Sequence, residues 1–483
     1  MAKGRKSTFE RLTAKTMNRK QRRDLQRKLR SEDPGLAIVN PRAAGIDVGN
    51  ESHYVAVPPD CDAKPVQEYG CWTADLVRMC RWLQECGIET VAMQATGVYW
   101  IPLYDQLTQH EIKVVVVNAQ YTKNVPGRKT DVQEAQWLMK LHTYGLLPNS
   151  FQLEGEMGKV RTIWRLRDRH VQEAGRAIQH MQKALTKMNV QLANVISDIS
   201  GTSGQAIIGA ILKGERDPYK LAELRDCRVR ASREEVAHSL EGNWREDVLF
   251  ELQQAVDSHE FAQLQMRECD GQLEKYLGAL PARTREEPDA DTTGNRTSRK
   301  PPRMRKPKGN APAFDLRGQL QRITGVDLTS IDGINVMTAQ TVVAEIGTDL
   351  RPFPDEDHFA SWLGLTPNKN ITGGKVIGGQ RRKVHNRVAA SLRMAASTLR
   401  KSDSYLGARY RYLSRNLPTQ AAAVKAMAHQ LALLVYRMLT KGQAWVDRGA
   451  EKFEQRQQEL EISGLTRRAA LKGFKLVPIE SEV

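Results

Sequence analysis

The chain has 483 residues, 40% of them hydrophobic, and 73 Lys plus Arg against 56 Asp plus Glu give a formal charge of +17. Sizeable cores can be buried and wholesale disorder is excluded, while so basic a balance points to nucleic acid or another anionic surface as partner. Six cysteines without a CxxC pair or zinc spacing are too few for a disulfide scaffold, no apolar run approaches the ~18 residues of a membrane helix, and the basic N-terminus lacks the apolar segment of a secretory signal, so a cytoplasmic protein with reduced thiols and no membrane partner is expected.

In chain order, residues 1–42 read as a basic arm, with twelve Lys/Arg and two acids in the first thirty. Residues 43–157 alternate strand and helix. Ala44–Val48 and His53–Val57 are close enough to pair as a hairpin, helical spacing covers 73–86, strands follow at 90–93 and 113–117 with a helix over 98–110 between them, and Asp131 opens a helix running to Gly145. This is a mixed-sheet α/β domain. Residues 158–280 carry two stripes stepping strictly by three and four, Val171 to Val195 and Val248 to Leu280, which predict long helices in coiled-coil packing against each other or a second protomer, with shorter helices over 199–243. His259 inside the second stripe reads as a packed histidine, not a ligand.

Residues 281–314 form a Pro-rich linker, with nine Lys/Arg and four acids over 282–308 and no apolar run to offset the entropy of ordering it. Residues 315–445 are again helical, and 446–483 form a tail. Ser330–Asn335 followed by Thr338–Ile346 resembles a helix–hairpin–helix, with Asn335 where a second glycine is usual; it is either a DNA contact or an ordinary helical turn. Residues 375–415 hold eleven Lys/Arg against Asp403 alone amid Ala, Leu, Met and Tyr, so they predict a folded basic surface, the stronger nucleic-acid signal. Arm, linker and this surface leave the remainder of the chain at −8.

Three carboxylates and an amide stand where chemistry could gather. Asp47 ends the first strand, Gln94 ends the strand after the first helix, and Asp131 and Glu134 lie at i and i+3 on one helix face. Strand-end oxygens converging with a helical pair suit Mg²⁺ and phosphodiester chemistry. Taken singly, Asp47 could close a turn, and Thr130-Asp131 could cap a helix.

At this point a resemblance becomes specific. Gly45-Ile46-Asp47-Val48-Gly49, Ala95-Thr96-Gly97-Val98-Tyr99-Trp100 and Gly127-Arg128-Lys129-Thr130-Asp131-Val132 resemble signatures of the DEDD insertion-sequence transposases, also known as bridge-RNA-guided recombinases and related to the Piv invertase. Trp362-Leu363-Gly364-Leu365-Thr366-Pro367 and Thr372-Gly373-Gly374-Lys375 resemble their C-terminal signature, and the match runs in order over about 43–445. The resemblance implies a RuvC-like (RNase H-fold) N-terminal domain with a Mg²⁺ site of four acidic positions, a long coiled-coil insertion, and a mainly helical C-terminal transposase domain whose serine attacks DNA. It also implies a structured bridge RNA that selects donor and target double-stranded DNA, a tetramer assembled from dimers, and a prokaryotic, nucleoid-associated setting.

Three positions depart from that pattern: Gln94 stands for the family's glutamate, Glu134 for its last aspartate, and Thr372 for its serine. Glu134 keeps the charge, Gln94 keeps an oxygen but loses a charge, and Thr372 keeps a hydroxyl able to act as nucleophile. The resemblance gives Asp47, Asp131 and Glu134 as Mg²⁺ ligands with Gln94 as a neutral partner, and Thr372 as nucleophile. Arg128, Lys129, Gly373, Gly374, Lys375, Arg381, Arg382, Lys383 and Arg387 are the candidate nucleic-acid contacts. Without the resemblance, Thr372-Gly373-Gly374 reads as a turn. The alternatives are a RuvC-like nuclease acting on branched DNA and a non-catalytic nucleic-acid-binding relative.

Overall fold

The computed structural model describes residues 37–118, 130–153, 155–283, 310–366, 370–373, 375–378, 386–442, 449–475 and 477. Arg128, Lys129, Gly374, Arg381, Arg382 and Lys383, the first thirty-six residues and most of the linker lie outside them. The chain divides into two compact units, Met1–Gln152 and Leu153–Val483.

The first unit holds strands β1 (Ala43–Val48), β2 (Ser52–Ala56) and β3 (Val66–Gly70), helix α1 (Thr73–Glu85), β4 (Thr90–Gln94), α2 (Trp100–Gln109), β5 (Lys113–Val117) and α3 (Asp131–Thr143). They form a five-stranded mixed sheet in the order β3-β2-β1-β4-β5. The β1–β2–β3 ladders are antiparallel, and the β1–β4 and β4–β5 ladders are parallel, each with a helix crossing over. The expected hairpin is present, as are the strand expected at 90–93, which extends to Gln94, and the strand expected at 113–117. β3 was not foreseen: an edge strand with Tyr69 as its one buried residue shows little alternation to read.

Successive side chains of β1 point to opposite faces. Ala44, Ile46 and Val48 enter a core built with Met79 and Leu83 of α1 and Leu103 and Leu107 of α2. Gly45 and Asp47 face the other way, toward α3. There a Cβ on Gly45 would lie 2.2 Å from the Met139 amide nitrogen and 2.4 Å from the Ala135 carbonyl oxygen. The missing side chain lets helix backbone rest directly on strand backbone.

In the second unit, α4 (Gly155–Lys187) and, after short helices α5 (Leu192–Val195), α6 (Thr202–Leu212), α7 (Pro218–Glu223) and α8 (Arg233–Ser239), α9 (Glu246–Ala279) account for the two stripes. They pack antiparallel against each other. Lys187 pairs with Glu251 at 2.7 Å, Arg167 with Asp270, and Lys159 lies over the Tyr276 ring at 5.9 Å. The first stripe predicts helix to Val195, yet α4 stops at Lys187 because Asn189 turns left-handed with φ 57°. Leu192 and Val195 still fill the same apolar cluster from the separate α5, so the periodicity outlasts the helix. His259 is buried within α9, as expected of a packed histidine.

The remainder is α10 (Leu316–Thr324), α11 (Val336–Ile346), α12 (Glu356–Trp362), a two-stranded ladder of β6 (Asn370–Thr372) and β7 (Lys375–Gly378), α13 (Arg387–Thr398), α14 (Tyr405–Asn416), α15 (Gln420–Lys441) and α16 (Ala450–Leu471). At the helix–hairpin–helix resemblance, Asn335 caps α11 itself, its side-chain oxygen accepting from the Thr338 amide at 2.8 Å. The tail contains α16, which had no apolar stripe to betray it: Phe453 is its one buried residue, packed edge-on against Tyr405 and Tyr412. Among the described residues no helix is long and apolar enough to cross a membrane.

Gly45→Ala is expected to cost about 1–3 kcal/mol by overpacking the backbone contact. Gly175→Ala, in the exposed interior of α4 where nothing lies within 4 Å of an added Cβ, is expected to gain about 1 kcal/mol from helix propensity. Urea midpoints of opposite sign check both, and a Gly45→Ala protein as stable as the parent would refute the contact.

Candidate active site

Parallel pairing sets Ile46 of β1 beside Met93 of β4. One residue further on, Asp47 and Gln94 therefore sit side by side near the strand ends, on the face that α3 covers. Gln94 is buried and Asp47 half-buried. α3 delivers the other two groups. Its N-cap is Thr130, whose hydroxyl accepts from the Gln133 amide at 3.4 Å. The capping role is thereby taken, and Asp131 is left as an exposed carboxylate in the first turn with Glu134 half-buried one turn further. Two acids at a helix N-terminus are favoured by the unpaired N–H groups there.

These acids share one electrostatic field. Burial, and then the negative charges of Glu134 and Asp131, push the Asp47 carboxyl from its ordinary 3.8 up to about 6, against a backbone hydrogen bond at Val48 that lowers it. Antiparallel register adds two neighbours that sequence reading passed over. Tyr54 of β2 is opposite Asp47, and Glu68 of β3 is opposite Tyr54. Glu68 beside the Tyr54 hydroxyl, followed by desolvation and the charges of Glu68 and Asp131, raises that phenol. The hairpin spacing alone could have identified Tyr54, since a tight turn after Val48 sets the register.

The donor set is hard oxygen throughout, which is the chemistry a divalent cation such as Mg²⁺ requires. Among the described residues no three His, Cys, Asp or Glu side chains stand close enough to form a ready-made metal cluster. Mg²⁺ does not demand one, since it keeps several waters and takes one or two carboxylates. The negative charges of Glu134 and Asp131 felt at Asp47 mark where a cation would be favoured.

The second unit carries the hydroxyl. Thr372 ends β6 and is the cross-strand partner of Lys375 at the start of β7, across the turn that begins with Gly373 at φ +57°. Both side chains are exposed, and nothing lies within 4 Å of a Cβ built on Gly373. The left-handed turn that glycine permits at no steric cost holds a hydroxyl beside a cation on an open hairpin. Upstream, the described part of the signature, Trp362–Thr366, is anchored in the fold. Leu363 and Leu365 are buried, each contributing about 1.5–3 kcal/mol of apolar burial, and Gly364 at φ +70° ends α12 between them. Arg387, expected to contact nucleic acid, already holds Asp168 at 2.9 Å.

A five-stranded mixed sheet with Asp47 near a strand end in the field of two acids on its covering helix, and a basic helical unit presenting a hydroxyl hairpin, have the parts of a DNA-cutting and rejoining enzyme. The family models agree. That of the DEDD transposases of the IS110 type matches residues 44–190, and that described as Transposase IS116/IS110/IS902 family matches residues 327–411. The chain is an IS110-type DEDD transposase, and DNA is its substrate class. No curated protein matches it.

Because the folded Asp47 carboxyl titrates at about 6 against an ordinary 3.8, its contribution to stability is fully present below the ordinary value and is lost as pH rises through about 6. In metal-free buffer, Asp47→Asn is therefore expected to raise the thermal midpoint at pH 8, the gain shrinking as pH falls through 6 toward 4. A midpoint difference that stays constant with pH would contradict the shared field.

Proposed function

We propose that the chain is an RNA-guided DNA recombinase of a mobile element, in which a RuvC-like (RNase H-fold) first unit holds Mg²⁺ and a hydroxyl of the second unit forms a covalent link to DNA. The observation that carries this reading is the common field of Asp47, Asp131 and Glu134 at the strand ends, in a segment matched by the DEDD family. Asp47, Asp131 and Glu134 hold the ion, with Gln94 as a neutral oxygen partner. When bound, the ion would supply charge stabilisation to a phosphate held at the first unit.

Thr372 Oγ1 attacks the phosphorus. The Oγ1–P bond forms as the bond from phosphorus to the leaving sugar oxygen breaks, and the hydroxyl proton is taken up in exchange for one delivered to that oxygen. Lys375 across the hairpin neutralises the phosphate as it approaches, and Arg128, Lys129, Arg381, Arg382 and Lys383 neutralise the flanking backbone, which makes binding salt-dependent. A structured bridge RNA selects donor and target duplexes, the α4–α9 coiled coil supports assembly, and a tetramer built from dimers exchanges the strands. Gln94 lowers the negative charge available to the ion, which raises the Mg²⁺ concentration needed.

On a nicked substrate, Thr372→Ala is expected to abolish the covalent protein–DNA adduct while leaving nucleic-acid binding intact, and Thr372→Ser to preserve it; denaturing gels read both. Cleavage without any adduct in the parent protein would favour a branched-DNA nuclease instead. Gln94→Glu is expected to lower the Mg²⁺ concentration for half-maximal activity several-fold, and Asp131→Asn to abolish activity at any Mg²⁺ concentration.

A further inference from the structure

Away from the acidic site, two arginines from distant stretches of chain meet at one buried carboxylate, and a third lies one helical turn away. Arg165 of α4 makes a two-pronged contact with Glu345 of α11, Nε to Oε1 at 2.8 Å and Nη2 to Oε2 at 2.6 Å. Arg387, at the first position of α13, stands 3.9 Å from the same Glu345 and donates to Asp168 of α4 at 2.9 Å. Arg161 lies one turn before Arg165 on the same helix face. It makes no ion pair among the described residues, and it is half-buried.

The charge count is uneven: three guanidinium groups share two carboxylates. Glu345 forms the floor, its side chain 9% exposed, while Arg165 and Arg387 are 45% and 50% exposed and open to solvent. Burial, and then the positive charge of Arg165, hold Arg161 below its ordinary value, with Glu345 opposing. Like charges gathered over one carboxylate are relieved by a further anion. Guanidinium forks match the oxygens of a phosphate, where a lysine would offer only a point charge.

We propose that Arg161, Arg165 and Arg387 form a clasp that grips one backbone phosphodiester of duplex DNA, with Asp168 holding Arg387 in reserve until the phosphate replaces it. The clasp rests on the reading of this chain as a DNA recombinase and adds to it a phosphate contact on α4 and α13. DNA is its occupant because α13 is the helix that follows the Thr372 hairpin, within the basic stretch 375–415. The competing account is a purely structural network that pins α4 to α11 and α13.

Fluorescence anisotropy of the full-length protein on a labelled duplex, from 50 to 200 mM salt, separates the two. Arg161→Gln and Arg387→Gln are each expected to reduce the slope of log affinity against log salt by about 1, since each phosphate contact contributes about 0.9, whereas Arg161→Lys and Arg387→Lys keep the slope. Asp168→Asn releases Arg387 and is expected to tighten duplex binding several-fold, a gain that misfolding cannot imitate. Unchanged slopes in the Gln variants, Lys variants as deficient as Gln, or an Asp168→Asn protein that binds no tighter would overturn the clasp while leaving the recombinase reading standing. Losses confined to a structured RNA probe would assign the clasp to RNA and overturn it as a DNA contact. A parent protein that binds no duplex at all would overturn both.

Discussion

At Gly45 the backbone of β1 is in contact with the backbone of α3, because no side chain stands between them. The rest of the acidic site depends on that closeness. With α3 seated on the sheet through Ala135 and Met139, the Thr130 cap fixes its first turn, and Asp131 and Glu134 are carried to within electrostatic reach of Asp47. The same closeness has an electrostatic cost, since the charges of Glu134 and Asp131 resist ionisation of Asp47. The fold thus holds Asp47 in a field that disfavours its charge, a usual mark of a site shaped for a ligand rather than for stability.

In the second unit the corresponding constraint is the buried pair of Arg167 and Asp270, with side chains 2% and 9% exposed. Arg167 also donates to the Asn310 carbonyl at 2.8 Å, so the guanidinium ties α4, α9 and the chain leading into α10 together. A helix slip of one turn would leave both charges buried and unpaired, at a cost of about 3–5 kcal/mol. Apolar stripes alone tolerate such slips; a single buried pair does not. The pair therefore sets the register on which the Arg165–Glu345–Arg387 cluster also relies.

Much of the frame was legible in the sequence for a plain reason. β1 and β4 are interior strands and β5, though at the other edge, is a run of valines, so they appear as short apolar runs, and α4 and α9 bury a whole stripe each. What escaped notice lacked that signal: β3 is an edge strand, α16 has one buried anchor, and the end of α4 turns on the backbone conformation of Asn189, which no periodicity encodes. Asp47, Gln94, Asp131 and Glu134 could be named because they end elements, and because the motifs around them resemble a family. Tyr54 and Glu68 were missed, although the hairpin register contains the information. Arg387 was read as a nucleic-acid contact; its protein partners Asp168 and Glu345 lie far away in sequence, and only the tertiary fold brings them to it.

The antiparallel run of α4 and α9 has a metric consequence. Helices of 33 and 34 residues rise about 1.5 Å per residue, so the pair carries the chain some fifty ångströms out, ~50 Å by that rise, to the small cluster of α5 to α8, and back to where it left. Departure and return are neighbours: Lys159 near the start of α4 lies over Tyr276 near the end of α9. The pair is in effect a ruler. Adding or deleting matched turns in both helices would move the outer cluster in steps of about 5.4 Å and leave the Thr372 hairpin and its supporting helices undisturbed.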